Sequence, residues 1–477
     1  MHGSLCHCLR KHVFIIALFI CLCGGIGVGI LLKFFNAPED VKLWLGMPGE
    51  LFLRALRFCV IPLLSCNIIA VASKVNKRTH GKFAMMAIAY CFIMNMLSSF
   101  IGGLLTLAIK PGLCFLFNLF LGVWAGNLAP TQPEIATPPP NISSMLMDLL
   151  RNMFPDNIVK IFLSSVNTVS TLRGNSSSQS LQDVPGVNII GLLITSLVIG
   201  IAAGAESVQG DDLIVRFFTA AAKVLTRILE KVMWFLPIGV GSLVLRAISN
   251  INGADGTARA LAMFVVTSFA YLGVITLVLL PTIYLIFVRR DFCKFLGLVI
   301  RPMLTAFSTL SSIAALPGVF KVCEQLGMNV QTAQLLGPFL TSFNANGSSA
   351  FIASSIIFCA QWAGHTISIG SIIAIFFLTG LNVMALPAVP SASIILVILL
   401  VRSFRIPDTA IPFLFVTDFI IDALRTPTNV LSHTTCLLIV DRFEKRRELP
   451  TSRSEVSSIG ETSPSNDPKT GDNPMVI

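Results

Sequence analysis

Apolar residues arrive along the chain in long unbroken runs, not at every second position or on one helical face. Val13–Leu32, Leu51–Ala72 and Ala84–Ile109 are each long enough for a helix to cross roughly 30 Å of hydrocarbon, which takes about 20 residues. Further runs follow at about Val187–Gly204, Phe217–Ala247 and Leu261–Val288, and the last spans Ile411–Val440. The first run follows Arg10, Lys11 and His12 and lacks a small-residue cleavage site, so it reads as an uncleaved helix whose N-terminus faces the cytoplasm.

Two stretches break this pattern. Residues 129–185 are polar, contain Pro138-Pro139-Pro140, and carry glycosylation acceptors at Asn141 (before Ile142-Ser143) and Asn175 (before Ser176-Ser177), so they are predicted to form a long extracellular loop. Placing that loop outside requires Leu113–Val123 to bend back or insert only partly. From residue 444 onward the chain becomes rich in Ser, Thr, Pro and acidic residues, which predicts a disordered cytoplasmic tail over 444–477.

Composition agrees with the pattern. Charged residues make up 12% of the chain against 54% hydrophobic, with a mean hydropathy of +0.81. Soluble domains carry about 25% charged residues, so this chain has too few to cover a water-facing surface. The net charge of +10 sits mainly in short connections: Lys74, Lys77, Arg78 and Lys82 in one, and Arg289, Arg290 and Lys294 in another. That placement marks cytoplasmic loops and gives no reason to expect a nucleic acid partner. The 12 cysteines fall almost wholly inside apolar runs and lack zinc-site spacing. The predicted fold class is an all-α, polytopic, multi-pass membrane protein. No nucleophile–base pair or cofactor motif stands out, so an enzyme and a resident cofactor are not expected.

The chemistry concentrates in the C-terminal third. Ser308–Pro317 and Thr379–Pro390 each interrupt an apolar segment with a small or polar stretch and an Ala-Leu-Pro sequence, and each is followed by a longer apolar run with polar residues at its centre. Paired interruptions at corresponding positions point to a transporter's binding site, because non-helical backbone at membrane depth must line a cavity or be buried in protein. The run after the first interruption contains Ser342-Phe343-Asn344-Ala345-Asn346-Gly347-Ser348-Ser349, poor helix formers that predict local unwinding. In the last run Asp418, Asp422, Arg425, Asn429 and His433 recur at spacings that share one helical face. A charge at the bilayer centre costs about 2.5–3.5 kcal/mol, so such a stripe marks an ion or substrate path more readily than a simple buried ion pair. Arg425 offers a planar fork for a carboxylate, Asp422 an anion for an ammonium, and neighbouring hydroxyls and amides further donors, which together suit an acidic amino acid.

With these residues in place the chain resembles the excitatory amino acid transporters, the family of glutamate and aspartate:cation symporters and neutral amino acid transporters. The resemblance covers about residues 30–445. It rests on Pro48-Gly49-Glu50-Leu51-Phe52-Leu53-Arg54, Arg151-Asn152-Met153-Phe154-Pro155 (which looks like the animal branch), Met233-Trp234-Phe235-Leu236-Pro237, Ser311-Ser312, Asn344 to Ser348, and Asp418 to Asn429. It implies eight transmembrane helices, two re-entrant hairpins that gate the site, inverted repeats, a homotrimer and an elevator-like movement in the plasma membrane. Residues 1–12 would be a cytoplasmic N-terminus and 13–290 mainly scaffold, with the third and sixth helices (about 84–109 and 261–288) grouped with a transport core at 291–443. By motif position Ser311, Ser312, Ser348, Asp422, Arg425, Thr426 and Asn429 match the substrate contacts. Leu340, Asn344, Asn346, Asp418, Asn429 and His433 fall at cation-binding positions.

The departures lie at the cation positions. Asn346 and His433 stand where the family has aspartates, Ile93-Met94-Asn95 where it has a threonine-rich patch, and Ile352 where the glutamate of proton and potassium coupling sits. In the second hairpin Ala385, Ala388 and Pro390 replace glycine or Gly and Gln. Sodium needs oxygen ligands, and losing two carboxylates weakens its attraction. The expected function is symport of L-glutamate or L-aspartate with sodium coupling weakened or altered; His433 either fills the space as a neutral, hydrogen-bonded side chain or offers a protonatable group in place of the ion. A glutamate-gated anion channel or sensor, and a neutral amino acid exchanger, are the alternatives; Arg425 opposes the latter.

Overall fold

The structure, a computed structural model, describes residues 2–73, 81–113, 142–173, 176–208, 212–250, 254–386 and 392–458. Asn141, Asn175, Ala388, Pro390 and the segment after Leu113 that was expected to bend back lie outside these residues.

Three long helices open the chain: α1 (His2–Phe34), α2 (Glu39–Ala72) and α3 (Gly81–Ile109). The polar segment then departs from an all-helical chain. It holds a short amphipathic helix α4 (Ile142–Met153) and an antiparallel hairpin of β1 (Ser164–Arg173) on β2 (Ser176–Pro185). Asn152 ties these pieces together, its amide donating to the Val166 carbonyl at 2.7 Å and accepting from the Val166 N–H at 3.0 Å. Asn188 in turn donates to the Asn152 carbonyl at 2.9 Å, fixing the entry to α5 (Ile189–Val208).

The single run expected over Phe217–Ala247 is two helices, α6 (Leu213–Met233) and α7 (Leu236–Ser249), bent by 57°. Pro237 causes the break, since it lacks an N–H and is tolerated only in the first turn of a helix. After α8 (Ala254–Val274) the backbone passes through a π-helical turn at Ile275–Leu279 into α9 (Leu280–Phe287).

The first interruption in the sequence is a hairpin. Helix α10 (Phe292–Thr309) stops at Leu310, whose φ of 52° is left-handed, and α11 (Ser312–Gln325) returns behind Ser311, whose side chain accepts from the Ala314 N–H. The unwinding expected around Asn344 is also present: α12 (Val330–Phe343) and α13 (Asn346–Trp362) are separated by the extended residues Asn344 and Ala345. At the second interruption α14 (Ile369–Asn382) ends in a tight turn at Val383–Ala385, and α15 (Ala392–Ser403) begins after residues 387–391, which lie outside the described residues. The last helix, α16 (Ile411–Ser458), continues past Glu444, where the composition reads as a tail; straight-chain charged residues and a Lys445–Asp441 pair at 2.9 Å favour that continuation.

Among the described residues six helices are long and apolar enough to cross a membrane, or seven if the bent pair α6–α7 forms one span. Length alone counts α10 among them, although the reversal at Leu310 makes it half of a hairpin. Two packing groups follow, which meet where α7 packs on α16. Helix α1 packs on α7, and α2 on α5, α6 and α7. Helix α3 packs on α8, α13 and α14, while α16 packs on α8, α10 and α13. In the first group glycines bring backbones together: a Cβ at Gly241 would stand 2.6 Å from the Cys21 carbonyl oxygen.

Candidate substrate and cation site

The site forms where the turn of the first hairpin, the break between α12 and α13 and the middle of α16 converge. A cavity of about 60 Å³ there is walled by Ser311 and Ser312 from the hairpin, Ser348 from α13, and Asp422, Arg425, Thr426 and Asn429 from α16. Every residue expected at substrate contacts therefore lines one space. Leu310, Thr341, Ser342 and Ser393 join them, and sequence reasoning did not single these out as contacts.

Helical periodicity puts Asp418, Asp422 and Arg425 on one face, and packing buries them. Arg425 Nε donates to Asp422 at 2.8 Å, and Nη2 pairs with Asp418 at 3.0 Å. Its guanidinium stacks over Phe351 of α13, 4.6 Å from the ring centroid. The Nη1 end is buried and has no hydrogen-bond partner among the described residues. One edge of the fork is thus already held by carboxylates, and Nη1 remains available to an anion. Two carboxylates against one guanidinium leave the cluster with one net negative charge. Asp418, placed by the resemblance at a cation position, pairs with Arg425 in this structure.

Close approach of α13 to α16 requires Gly347. A Cβ there would meet the Arg425 Cβ at 2.5 Å and its Cα at 3.0 Å. The Gly347 N–H donates to the Asn429 side-chain oxygen at 2.9 Å, so the break in the helix is stitched to α16 one turn beyond Arg425.

The remaining cation positions are occupied by hydrogen bonds within the protein. His433 Nε2 lies 2.6 Å from the Asn344 carbonyl oxygen. A carbonyl only accepts, so Nε2 carries the proton and donates. Asn344 and Asn346 both donate their amide N–H to Ser432 Oγ, at 2.8 and 2.9 Å, and Tyr90 reaches the same hydroxyl at 3.1 Å. Asn95 donates to the Phe343 carbonyl at 3.0 Å, and Ser349 donates to the Asn95 carbonyl at 2.7 Å. The Leu340 carbonyl accepts the Asn344 N–H at 2.9 Å, closing the last turn of α12. What is left over is three buried side-chain amide oxygens without partners, on Asn95, Asn344 and Asn346. Ser432 and Phe351 escaped the sequence reading, although Ser432 lies three residues beyond Asn429 and Phe351 four beyond Gly347, on the faces already identified.

This arrangement of a hairpin, a second interrupted segment, a broken helix and a buried Asp–Arg stripe agrees with comparison to known proteins. The model of the sodium:dicarboxylate symporter family matches residues 14–443. The chain belongs to that family. It is 26% identical over 458 residues to an excitatory amino acid transporter of Caenorhabditis elegans, covering 92% of this chain and 89% of that protein. It is also 26% identical over 436 residues to neutral amino acid transporter A of Homo sapiens (88% and 80% coverage), and 25% identical over 466 residues to excitatory amino acid transporter 3 of Mus musculus (92% and 87%). As a member of the sodium:dicarboxylate symporter family it is a multi-pass membrane protein.

Proposed function

We propose that this chain is a secondary transporter of acidic amino acids, L-glutamate or L-aspartate, across the plasma membrane, in which sodium contributes little to binding. The observation that carries the substrate reading is the buried, unpartnered Nη1 of Arg425 at the wall of a cavity that also holds Asp422 and the hydroxyls of Ser312, Ser348 and Thr426. A side-chain carboxylate of the substrate pairs with that end of the guanidinium, its ammonium with Asp422, and its α-carboxylate with the hydroxyls and hairpin N–H groups. The name of the worm relative supports this reading.

The weak role of sodium follows from the donors around it. The Asn344 carbonyl, freed by the helix break, takes its hydrogen bond from His433. At the second position Asn95, Asn344 and Asn346 offer amide oxygens and no carboxylate. A hard cation loses most of the anionic attraction that offsets its dehydration. His433 gives the carbonyl an N–H donor where an ion would otherwise be its partner.

The same proposal assigns α1, α2 and α5 to α7 to a scaffold that assembles as a homotrimer, and α3 with α8 to α16 to a moving transport body. Grouped packing on either side of that division supports it. Similarity to the human neutral amino acid transporter at the same identity favours a second reading, exchange of neutral amino acids. Competition separates the two. Purified protein with labelled glutamate bound should lose the label to unlabelled aspartate and keep it in excess serine or alanine; the reverse order would replace the acidic reading with the neutral one.

A further inference from the structure

A second cavity, of about 350 Å³, lies further along α16 toward its C-terminus than the hairpin turn. Its walls are the α9–α10 connection and the turns of α16 beyond Leu438, on the side that the basic connections assign to the cytoplasm. Four cationic side chains line it, Arg289 and Arg290 from the connection and Arg442 and Lys445 from α16, together with one acid, Asp441.

Two helix ends are capped here, those of α11 and α9. Arg290 donates to the Leu326 carbonyl at 2.8 Å, Lys445 to the Gly327 carbonyl at 2.6 Å, and Arg442 to the Val288 carbonyl. Arg289 donates to the Ile286 carbonyl at 3.2 Å. Carbonyls orient the Arg289, Arg290 and Lys445 heads without neutralising them, and Asp441 engages Lys445 at 2.9 Å. Capping explains each cation singly. It does not explain why four of them border one volume large enough for a small anion. Beside the cavity, Ile286, Phe287 and Phe443 expose apolar side chains on the same turns.

We infer that this cavity binds a phosphate headgroup, supplied by an anionic phospholipid whose acyl chains lie along Ile286, Phe287 and Phe443. The cations hold the phosphate, and the apolar side chains distinguish a lipid from free phosphate. Because Arg290 and Lys445 also hold the end of α11, a bound headgroup tethers the base of the first hairpin to α16.

The test is titration of the full-length protein in neutral detergent with short-chain phosphatidic acid, short-chain phosphatidylcholine and inorganic phosphate in separate arms. The wild type should bind phosphatidic acid and ignore phosphatidylcholine. Arg289→Gln with Arg290→Gln should weaken phosphatidic acid binding about 30-fold, from roughly 1 kcal/mol for each cation near the membrane surface. Arg216→Gln with Lys223→Gln removes two exposed charges from α6 and should change it little. Lys445→Gln provides an independent loss should the arginine pair fail to give monodisperse protein. Inorganic phosphate binding as tightly as phosphatidic acid would overturn the lipid as the source. Equal weakening in the α6 variant, or no weakening in either cavity variant, would overturn the site.

Discussion

Arg425 is the residue on which the substrate reading turns, and its burial dictates how it must be tested. Truncating it alone leaves Asp418 and Asp422 buried without their cation, which costs about 3–5 kcal/mol and confuses folding with binding. Pairing Arg425→Gln with Asp418→Asn removes one charge of each sign. That variant should remain folded and bind glutamate at least tenfold more weakly, as expected for losing a charged hydrogen bond of about 1.5–3 kcal/mol; unchanged affinity by equilibrium binding would refute the assignment. His433 and Asn346 carry the ion argument. Replacing both with aspartate should make glutamate binding respond to sodium where the wild type does not, and a flat sodium titration in that variant would sink the ligand reasoning. Much of this was legible in the sequence, because helical period alone places Asp418, Asp422, Arg425, Asn429 and His433 on one face. Their partners on other elements were not. Periodicity cannot tell that Ser432 gathers Asn344, Asn346 and Tyr90, since those contacts join different helices.

At the scale of elements, the two interruptions and the Asn344–Ser348 unwinding could be read in advance because polar and Pro-containing stretches are costly in lipid unless they line a site. The bend between α6 and α7 was hidden within a stretch read as one helix, although Pro237 marks it. The β1–β2 hairpin was hidden for a different reason: Ser164–Arg173 has β-branched residues but no apolar face to alternate with a polar one. Two glycines separate the roles of the two helix groups. Gly347→Ala places a Cβ against Arg425 and should weaken glutamate binding, with an overpacking cost of about 1–3 kcal/mol. Gly241→Ala presses α7 on α1 and should lower thermal stability by a similar amount while leaving glutamate affinity unchanged. Measured together by thermal unfolding and binding, both variants should lose stability and only Gly347→Ala should lose affinity; a loss of affinity from Gly241→Ala would argue against assigning α1 and α7 to a scaffold remote from the site.

Across the whole molecule, the long apolar runs and sparse charges foretold a multi-pass helical protein, while coupling depends on a handful of side chains at one break in one helix. Transport against a gradient is the property that joins these scales, since only coupling to another gradient concentrates a substrate. Labelled glutamate uptake into proteoliposomes, with inward sodium and proton gradients imposed separately, tests this most directly. Uptake of glutamate that a sodium gradient does not concentrate, and that disappears in the Arg425→Gln, Asp418→Asn variant, is the expected result. Sodium-driven accumulation would show that backbone carbonyls and the remaining asparagines suffice to hold the ion, and would contradict the reading of His433 and Asn346.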